Sequence, residues 1–339
     1  MKKICCFGEL LLRMSPALQG KWIHKASMPV YVGGAELNVA NALAKWELPV
    51  KYVSAVPDNS LSKDILDELN LNKIDTSGIK FSGNRIGIYF LPQGTDLKHA
   101  AVIYDRAHSS FASLKPGLLD WDNILDDVSW FHFSAISPAL NEDAAWVCKE
   151  AVVAASSKGI SISVDLNYRS KLWQYGKAPS TVMPGLVEYC DLIMGNIWSA
   201  DSLLGIEADE NIHHSKNKEV YLQHATETSK KIMQQFPKCK TVANTFRFDM
   251  ENGLKYYATI NNSSSQYISP EFFTQNIIDK VGSGDCFMAG LIDGFYNQTN
   301  LQQIINFSAA AAFGKLHVQG DSTNQTKQQI LSYLRNLEL

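Results

Sequence analysis

IIDKVGSGDCFMAG, residues 277–290, places a glycine-rich turn directly before a segment that has the composition of a buried helix. Gly282 and Gly284 bracket Ser283, and the nearly uncharged run CFMAGLIDGF follows Asp285. Glycines allow a sharp turn and the close approach of another molecule. The first amides of a helix have no partners within the helix, and together with the helix dipole they attract anions. The stretch therefore predicts a phosphate-binding turn.

Asp285 is unexpected at such a turn, because a carboxylate competes with a bound phosphate for the same amides. Its presence is explained if it removes the proton of a neutral hydroxyl during phosphoryl transfer, which requires only hydrogen-bond reach. In the alternative interpretation Asp285 caps the helix and the glycines form an ordinary tight turn. Spacing alone leaves both interpretations open. The segment is not a Walker P-loop, since no Gly-Lys-Ser/Thr follows, and the absence of GxGxxG argues against a Rossmann dehydrogenase.

The 339 residues fit one large α/β domain with an appendage. The net charge is −3 and no basic run occurs, which argues against nucleic acid or an anionic membrane as a partner. No apolar stretch is long enough to span a membrane. The six cysteines show no CxxC or zinc spacing, so we expect reduced thiols in a cytoplasmic protein. His213 and His214 lie in a polar loop, where we predict no metal site.

Apolar strands alternate with helical patterns along most of the chain, and this alternation predicts a doubly wound, mostly parallel sheet flanked by helices. The predicted strands are 3–8, 51–56, 130–133, 160–165, 191–194 and 241–244. The predicted helices are 35–46, 61–71, 142–157, 200–204, 219–236, 285–296, 301–316 and 327–337. Residues 84–106 instead predict a β-hairpin, which joins residues from about 12 to 32 as a small β-sheet lid. Ligands of such sheets bind at the carboxyl ends of the strands.

Further polar residues stand where this architecture collects ligands. Gly33-Gly34 precedes Asn38 and Asn41, which share one helix face and either bind a polyol or are simply solvated. Tyr89, Tyr104 and Arg106 lie on the hairpin, where position alone favours strand aromatics and a surface arginine over a binding role. Arg169 follows a strand within DLNYR, and its planar guanidinium is suited to clamping an anion.

Taken together, these segments resemble the ribokinase-like, PfkB-type carbohydrate kinases. GGAELNVANAL at 33–43 and DKVGSGD at 279–285 are similar to the two family signatures, with Lys280 and Ser283 as variants of the second. Within the family the chain most resembles the 2-keto-3-deoxygluconate kinases (2-dehydro-3-deoxygluconokinases). The segments that carry this finer resemblance are GIYFLPQG at 87–94, VIYDRAHSSF at 102–111, FHFSAISPAL at 131–140 and DLNYRSKLW at 165–173.

The resemblance implies an ATP-dependent kinase in which Asp285 is the general base and the amides of Gly282, Ser283 and Gly284 form an anion hole. It implies a sugar-acid site lined by Gly34, Asn38, Tyr89, Tyr104, Arg106 and Arg169, with Arg169 also reaching the γ-phosphate. Asn196, Lys280 and the strand at 241–247 are implied to border the nucleotide. Mg²⁺ is implied to arrive with ATP and to be held largely through water. The family's lid often forms a dimer interface, so a homodimer or higher homo-oligomer is implied.

One departure from the family pattern follows the predicted strand at 191–194. The family has acidic residues after Asn196, whereas Ile197, Trp198 and Ser199 stand here and leave Asp201 as a candidate substitute for supporting Mg²⁺. We expect residues 1–339 to form a single kinase domain that phosphorylates the terminal hydroxyl of 2-keto-3-deoxygluconate. The alternatives are a fructokinase or another PfkB-type sugar kinase, and a non-catalytic sensor of sugar acids or nucleotides.

Overall fold

The computed structural model describes residues 1–16, 28–93, 102–207, 212 and 217–335. The strands are β1 (Lys3–Phe7), β2 (Leu11–Met14), β3 (Val30–Gly33), β4 (Val50–Val53), β5 (Ala55–Val56), β6 (Ile74–Asp75), β7 (Lys80–Phe81), β8 (Gly87–Phe90), β9 (Ile103–Asp105), β10 (Val128–Ser134), β11 (Ser161–Asp165), β12 (Leu192–Gly195), β13 (Thr241–Met250), β14 (Gly253–Asn261), β15 (Gln266–Ile268) and β16 (Phe272–Thr274). The helices are α1 (Ala35–Lys45), α2 (Ser60–Leu71), α3 (Trp121–Ile124), α4 (Glu142–Ser157), α5 (Pro179–Val182), α6 (Pro184–Val187), α7 (Ile197–Leu204), α8 (Lys218–Gln235), α9 (Ser283–Tyr296), α10 (Leu301–Lys315) and α11 (Lys327–Arg335).

The larger sheet contains ten strands in the order β15-β14-β13-β12-β11-β10-β1-β4-β6, and β16 pairs with β14. All neighbours from β13 to β6 run parallel. At the other edge β14 runs antiparallel to β13, β15 and β16. The doubly wound, mostly parallel sheet flanked by helices is therefore confirmed.

Both faces of this sheet are covered, because its central strands are apolar on both sides. All four residues of β12 are buried, as are four of the five residues of β1. One face packs against the apolar side chains of α1, α2, α9 and α10. The opposite face packs against α4, α6 and α7. This arrangement leaves the carboxyl ends of the strands as the edge where a ligand can reach the sheet.

A second sheet has four strands in the order β3-β2-β8-β9 and forms the small β-sheet predicted as a lid. Strands β8 and β9 pair antiparallel with Tyr89 opposite Tyr104, which confirms the predicted hairpin. Strands β2 and β3 come from the segment near 12–32, and β2 runs parallel to β8. The parts of these segments at 17–27 and 94–101 lie outside the described residues.

Three predictions of local structure differ from the structure, and each difference has a physical reason. The strand predicted at 51–56 is two strands, because β5 leaves the large sheet and pairs with β7. The strand predicted at 241–244 continues to Met250 and forms a long hairpin with β14, which was not predicted. Asn252-Gly253 between alternating apolar residues was the available turn signal. The helix predicted at 200–204 begins earlier, at Ile197, because the side chain of Asn196 caps it.

Candidate active site

A cavity lies between the small sheet, the N-termini of α1 and α9, and the carboxyl ends of β11 and β12. Twelve of the residues predicted for the site line this cavity, although they come from segments far apart in sequence. They are Gly34, Asn38, Tyr89, Tyr104, Arg106, Arg169, Asn196, Lys280, Gly282, Ser283, Gly284 and Asp285. The fold therefore brings the separately predicted candidates to one place.

The turn before α9 depends on glycine at position 282. Gly282 has φ of 79°, in the left-handed region that favours glycine. A Cβ at this position would lie 1.9 Å from the carbonyl oxygen of Asp321, so no side chain fits. The hydroxyl of Ser283 faces away and donates to the carbonyl of Ala312 at 2.9 Å. The first amides of α9 are thus presented at the cavity on a rigid support.

Asp285 does not cap the helix. The N-cap residue of α9 is Gly282, and Asp285 lies within the first turn of the helix. The carboxylate instead accepts a hydrogen bond from Nδ2 of Asn38 at 2.7 Å, and Asp285 is 8% exposed. The capping interpretation is therefore wrong, and the carboxylate is directed towards the cavity wall formed by α1.

The pKa of Asp285 is raised to about 8, chiefly because burial disfavours the charged carboxylate. The hydrogen bond from Asn38 and the charge of Arg169 act in the opposite direction. The neighbouring carboxylates Asp165 and Glu36 raise the pKa further. A carboxylate with a raised pKa holds a proton more strongly, which suits a group that accepts a proton during a reaction.

Arg106 is held by a buried ion pair with Glu9. Its Nε donates to Oε2 of Glu9 at 2.7 Å, and its Nη2 donates to the same oxygen. The hydroxyl of Ser109 donates to the other oxygen of Glu9. Arg106 and Glu9 are only 6% and 3% exposed, so this is not the surface arginine of the alternative interpretation. Sequence reasoning missed the role of Glu9, although its spacing from the first strand places it at the ligand-binding edge.

Tyr89 belongs to a second buried network, which joins the small sheet to the turn. Its hydroxyl donates to Oδ2 of Asp321 at 2.8 Å, and the centroid of its ring lies 6.4 Å from the ring centroid of Tyr104. Arg13 of β2 donates through Nη2 to Asp279 at 2.6 Å. Its Nε also lies 2.7 Å from Oδ1 of Asp321. The start of the chain and its last quarter therefore meet beneath the cavity.

Three further predicted residues, Asn196, Lys280 and Arg169, line the rest of the cavity. Oδ1 of Asn196 accepts hydrogen bonds from the amides of Trp198 and Ser199 at 3.0 and 2.9 Å, so this oxygen is occupied by capping α7. Lys280 pairs with Asp249 at 2.6 Å, and the side chain of Asp249 is 46% exposed. Arg169 is half-buried and donates to the carbonyl of Tyr168 at 3.0 Å.

Other residues that line the cavity were not singled out from the sequence. Asp165 and Asn167 belong to the segment DLNYR, where only Arg169 was selected. Thr245 and Arg247 lie on β13, within the strand at 241–247 that the resemblance implied to border the nucleotide, and Tyr256 lies on its partner β14. Asn41, in contrast, does not line this cavity, because its Nδ2 donates to Ser322 at 3.0 Å.

The described residues contain no group of three or more His, Cys, Asp or Glu side chains that could hold a metal ion. Asp201 is exposed on α7 and does not line the cavity. His213 and His214 lie outside the described residues. In the described part of the chain, all helices are too short or too polar to cross a membrane.

Comparison with known proteins places this geometry in context. The model of the pfkB family of carbohydrate kinases matches residues 1–328. The crystal structure of 2-dehydro-3-deoxygluconokinase from Thermotoga maritima is 32% identical, with a TM-score of 0.89 over 99% of this chain and 100% of that one. The 2-dehydro-3-deoxygalactonokinase of Haloferax volcanii is 26% identical over 98% of this chain and 96% of its own length. A fructokinase from Xylella fastidiosa with bound ATP shares the fold alone, at 19% identity and a TM-score of 0.76, with 99% of each chain covered.

Proposed function

Because the chain belongs to the pfkB family of carbohydrate kinases, we propose that it phosphorylates the terminal hydroxyl of 2-keto-3-deoxygluconate or a closely related sugar acid, with ATP as the donor. The observation that carries this proposal is the position of Asp285, a buried carboxylate beside the amide-lined turn of α9. A base and an anion site side by side are what transfer of a phosphoryl group to a hydroxyl requires.

In the proposed reaction the carboxylate of Asp285 accepts the proton of the sugar hydroxyl. The hydroxyl oxygen forms a bond to the γ-phosphorus, the bond from that phosphorus to the β–γ bridging oxygen breaks, and ADP leaves. The amides of Gly282, Ser283 and Gly284 stabilise the negative charge on the transferred group. Asn38 orients the carboxylate through the hydrogen bond of 2.7 Å.

We assign recognition of the acid to the end of the cavity formed by Asn38, Tyr89, Tyr104, Arg106 and Gly34, which we call the sugar end. Arg106 is the main cation there, and the ion pair to Glu9 uses its Nε and Nη2. The remaining edge of the guanidinium is suited to the substrate's carboxylate, because arginine presents its donors in a fixed planar geometry. A neutral sugar has no carboxylate to offer this arginine, which favours a sugar acid over fructose.

Gly34 admits the substrate to the backbone at the start of α1. It has φ of 139°, and a Cβ there would lie 2.2 Å from the carbonyl oxygen of Glu9. Arg169 completes this wall at the carboxyl end of β11, where its charge acts on Asp285. We place it between the sugar and the γ-phosphoryl group.

We assign the nucleotide to the other end, which contains Asn196, Lys280 and Arg247 and which we call the nucleotide end. The carboxylates that line the cavity within the described residues are Asp165 and Asp285. Two carboxylates do not form a metal cage, but they fit an ion that keeps most of its water, as Mg²⁺ does. Asp165 would hold hydrated Mg²⁺, which neutralises charge on the phosphates when bound.

We further propose that residues 1–339 act as one kinase domain in the cytoplasm, with the small sheet as a lid and a homodimer formed through its outer face. Val30 and Ile103 lie on the edge strands of that sheet and are 50% and 48% exposed. A second copy would bury them. All six cysteines are buried free thiols, which agrees with a reducing compartment.

The test is release of ADP from MgATP with a panel that contains 2-keto-3-deoxygluconate, its 4-epimer, fructose, ribose and gluconate. We expect kcat/KM for a keto-deoxy acid to exceed that for fructose about 10- to 100-fold, since a hydrogen bond to a charged group contributes about 1.5–3 kcal/mol. Preference for fructose would instead establish a fructokinase. Tight binding of acid and nucleotide without turnover would establish a sensor.

A further inference from the structure

Lys315, the last residue of α10, is a buried cation that the reaction above does not use. Its side chain is 0% exposed, which is rare for lysine. Its Nζ donates to the carbonyl of Val318 at 2.9 Å. A carbonyl near the end of a helix can be satisfied by an exposed lysine or by water, so capping alone does not explain complete burial.

The position of Lys315 connects it to the anion-binding turn. A Cβ built on Gly282 would lie 3.3 Å from Cε of Lys315, so the lysine stem packs directly against the turn. Gly282 lines the cavity and Lys315 does not, which places the lysine behind the turn, on the side away from the ligand. Its charge also acts on Cys286, one turn further along α9.

Four buried charges lie around the turn and balance each other. Arg13 and Lys315 are the cations, and Asp279 and Asp321 are the anions. Arg13 is in contact with both carboxylates, at 2.6 and 2.7 Å. Burial lowers the pKa of Lys315, while the charges of Asp279 and Asp321 favour its ammonium form. Without the lysine charge, one uncompensated negative charge would remain beside a site that must bind an anion.

We propose that Lys315 is a positioning residue that places a fixed positive charge behind Gly282 and thereby stabilises the negative charge that gathers at the turn during transfer. This inference rests on the proposed kinase function. A charge a few ångströms behind the turn, shielded from water, acts on that site more strongly than a surface charge does. The electrostatic support of the anion hole then comes from α10 as well as from the amides of α9.

The test compares kcat and KM of Lys315→Met, which keeps the length of the side chain and removes its charge, with Lys51→Met. Lys51 is the matched control, because it is buried on β4, pairs with Asp127 and does not line the cavity. We expect Lys315→Met to lower kcat about 10- to 100-fold with KM values within threefold of wild type. Lys51→Met should keep kcat within twofold. A kcat within twofold for folded Lys315→Met would overturn the proposal.

A second measurement separates charge from packing. Lys315→Ala leaves space for a small cation, so we expect added methylammonium to raise the kcat of this variant at least about tenfold. Sodium at equal ionic strength should restore none, and Lys51→Ala should respond to neither salt. If the Met and Ala variants fail to fold, or if methylammonium has no effect, the role of Lys315 is structural and the proposal fails. Failure of the proposed kinase function is distinguishable, because the wild-type protein would then release no ADP with any sugar.

Discussion

The sugar end and the nucleotide end of the cavity are built differently. At the sugar end, Asn38, Tyr89 and Arg106 each donate a hydrogen bond to a buried carboxylate. The donor–acceptor distances are 2.7 Å for Asn38, 2.8 Å for Tyr89 and 2.7 Å for Nε of Arg106. At the nucleotide end, Lys280 pairs with a carboxylate that is nearly half exposed. On the proposed assignment, we expect the sugar end to be organised before substrate arrives and the nucleotide end to take its final form around its ligand.

The contrast has a physical basis in the ligands. A small sugar acid offers few atoms, so selectivity depends on donors that are already fixed. A nucleotide triphosphate brings its own charges and its own metal ion, so fewer fixed protein groups are needed. Substitutions at the sugar end should therefore have large and selective effects, and substitutions at the nucleotide end smaller ones.

The largest effect is expected for Asp285→Ala. Removal of the general base should lower kcat about 10²- to 10⁴-fold, while the Kd for ATP changes less than threefold. Asp293→Ala is the matched control, because Asp293 is equally buried on α9 but pairs with Lys327 outside the cavity. Steady-state kinetics and ATP titration distinguish the two. Activity near wild type in Asp285→Ala would place the base elsewhere.

The next largest effect is expected for Arg106→Ala. It should raise KM for the sugar acid about 10- to 100-fold, because it removes a charged donor and leaves Glu9 buried without its partner. KM for ATP should change less than threefold. Arg85→Ala serves as control, since Arg85 pairs with Asp105 beside the same hairpin and is 36% exposed. Equal losses for acid and ATP would contradict the assignment of Arg106 to the sugar end.

A pH series tests whether the buried carboxylate of Asp285 destabilises the folded protein. The raised pKa of Asp285 means that the folded protein binds a proton between the ordinary carboxyl pKa and about 8 that the unfolded chain releases. The stability of the ligand-free protein should therefore fall as pH rises through this window. Asp285→Asn removes the cost of burying the charged carboxylate. Its Tm should therefore exceed that of wild type by roughly a few degrees at pH 8.5, and the two Tm values should be nearly equal at pH 4. If the difference in Tm between Asp285→Asn and wild type were the same at pH 4 and pH 8.5, the carboxylate of Asp285 would not be destabilising.

The smallest effect is expected for Lys280→Ala. Its ion pair is partly exposed, so KM for ATP should rise only about two- to fivefold and KM for the sugar acid should stay constant. Lys255→Ala, at a partly exposed lysine of β14 that pairs with Glu271, provides the baseline for losing a surface charge. A loss comparable to that of Arg106→Ala would erase the difference between the two ends.

The sequence predicted the local chemistry better than the long-range contacts. The turn at 282–284 and the position of Asp285 could be predicted because glycines, an acid and an apolar helix are adjacent in the chain. The partner of Asp285 could not be paired with it from spacing, because Asn38 precedes it by 247 residues. The same limit applies to Tyr89 and Asp321, which are 232 residues apart.

The fold shows the same division. Alternation of apolar strands with helices predicted the parallel sheet, because each βαβ unit is local. The antiparallel hairpin of β13 and β14 was missed although Phe246 to Tyr257 alternates apolar and charged residues around Asn252-Gly253, because only the βαβ alternation was followed along the chain. Tertiary contacts with α8 and with the aromatic cluster around Phe246 and Tyr257 decide its structure.

The ion pair between Arg13 and Asp279 spans 266 residues, and Asp321 lies further still along the chain. When the parallel strands have been synthesised, Asp279 and Asp321, the partners of Arg13, have therefore not yet been added to the chain. Since loops of this length close slowly and late, we expect the catalytic turn to be assembled only after nearly the whole polypeptide has emerged. Truncated products of interrupted translation would then contain much of the sheet and none of the kinase chemistry.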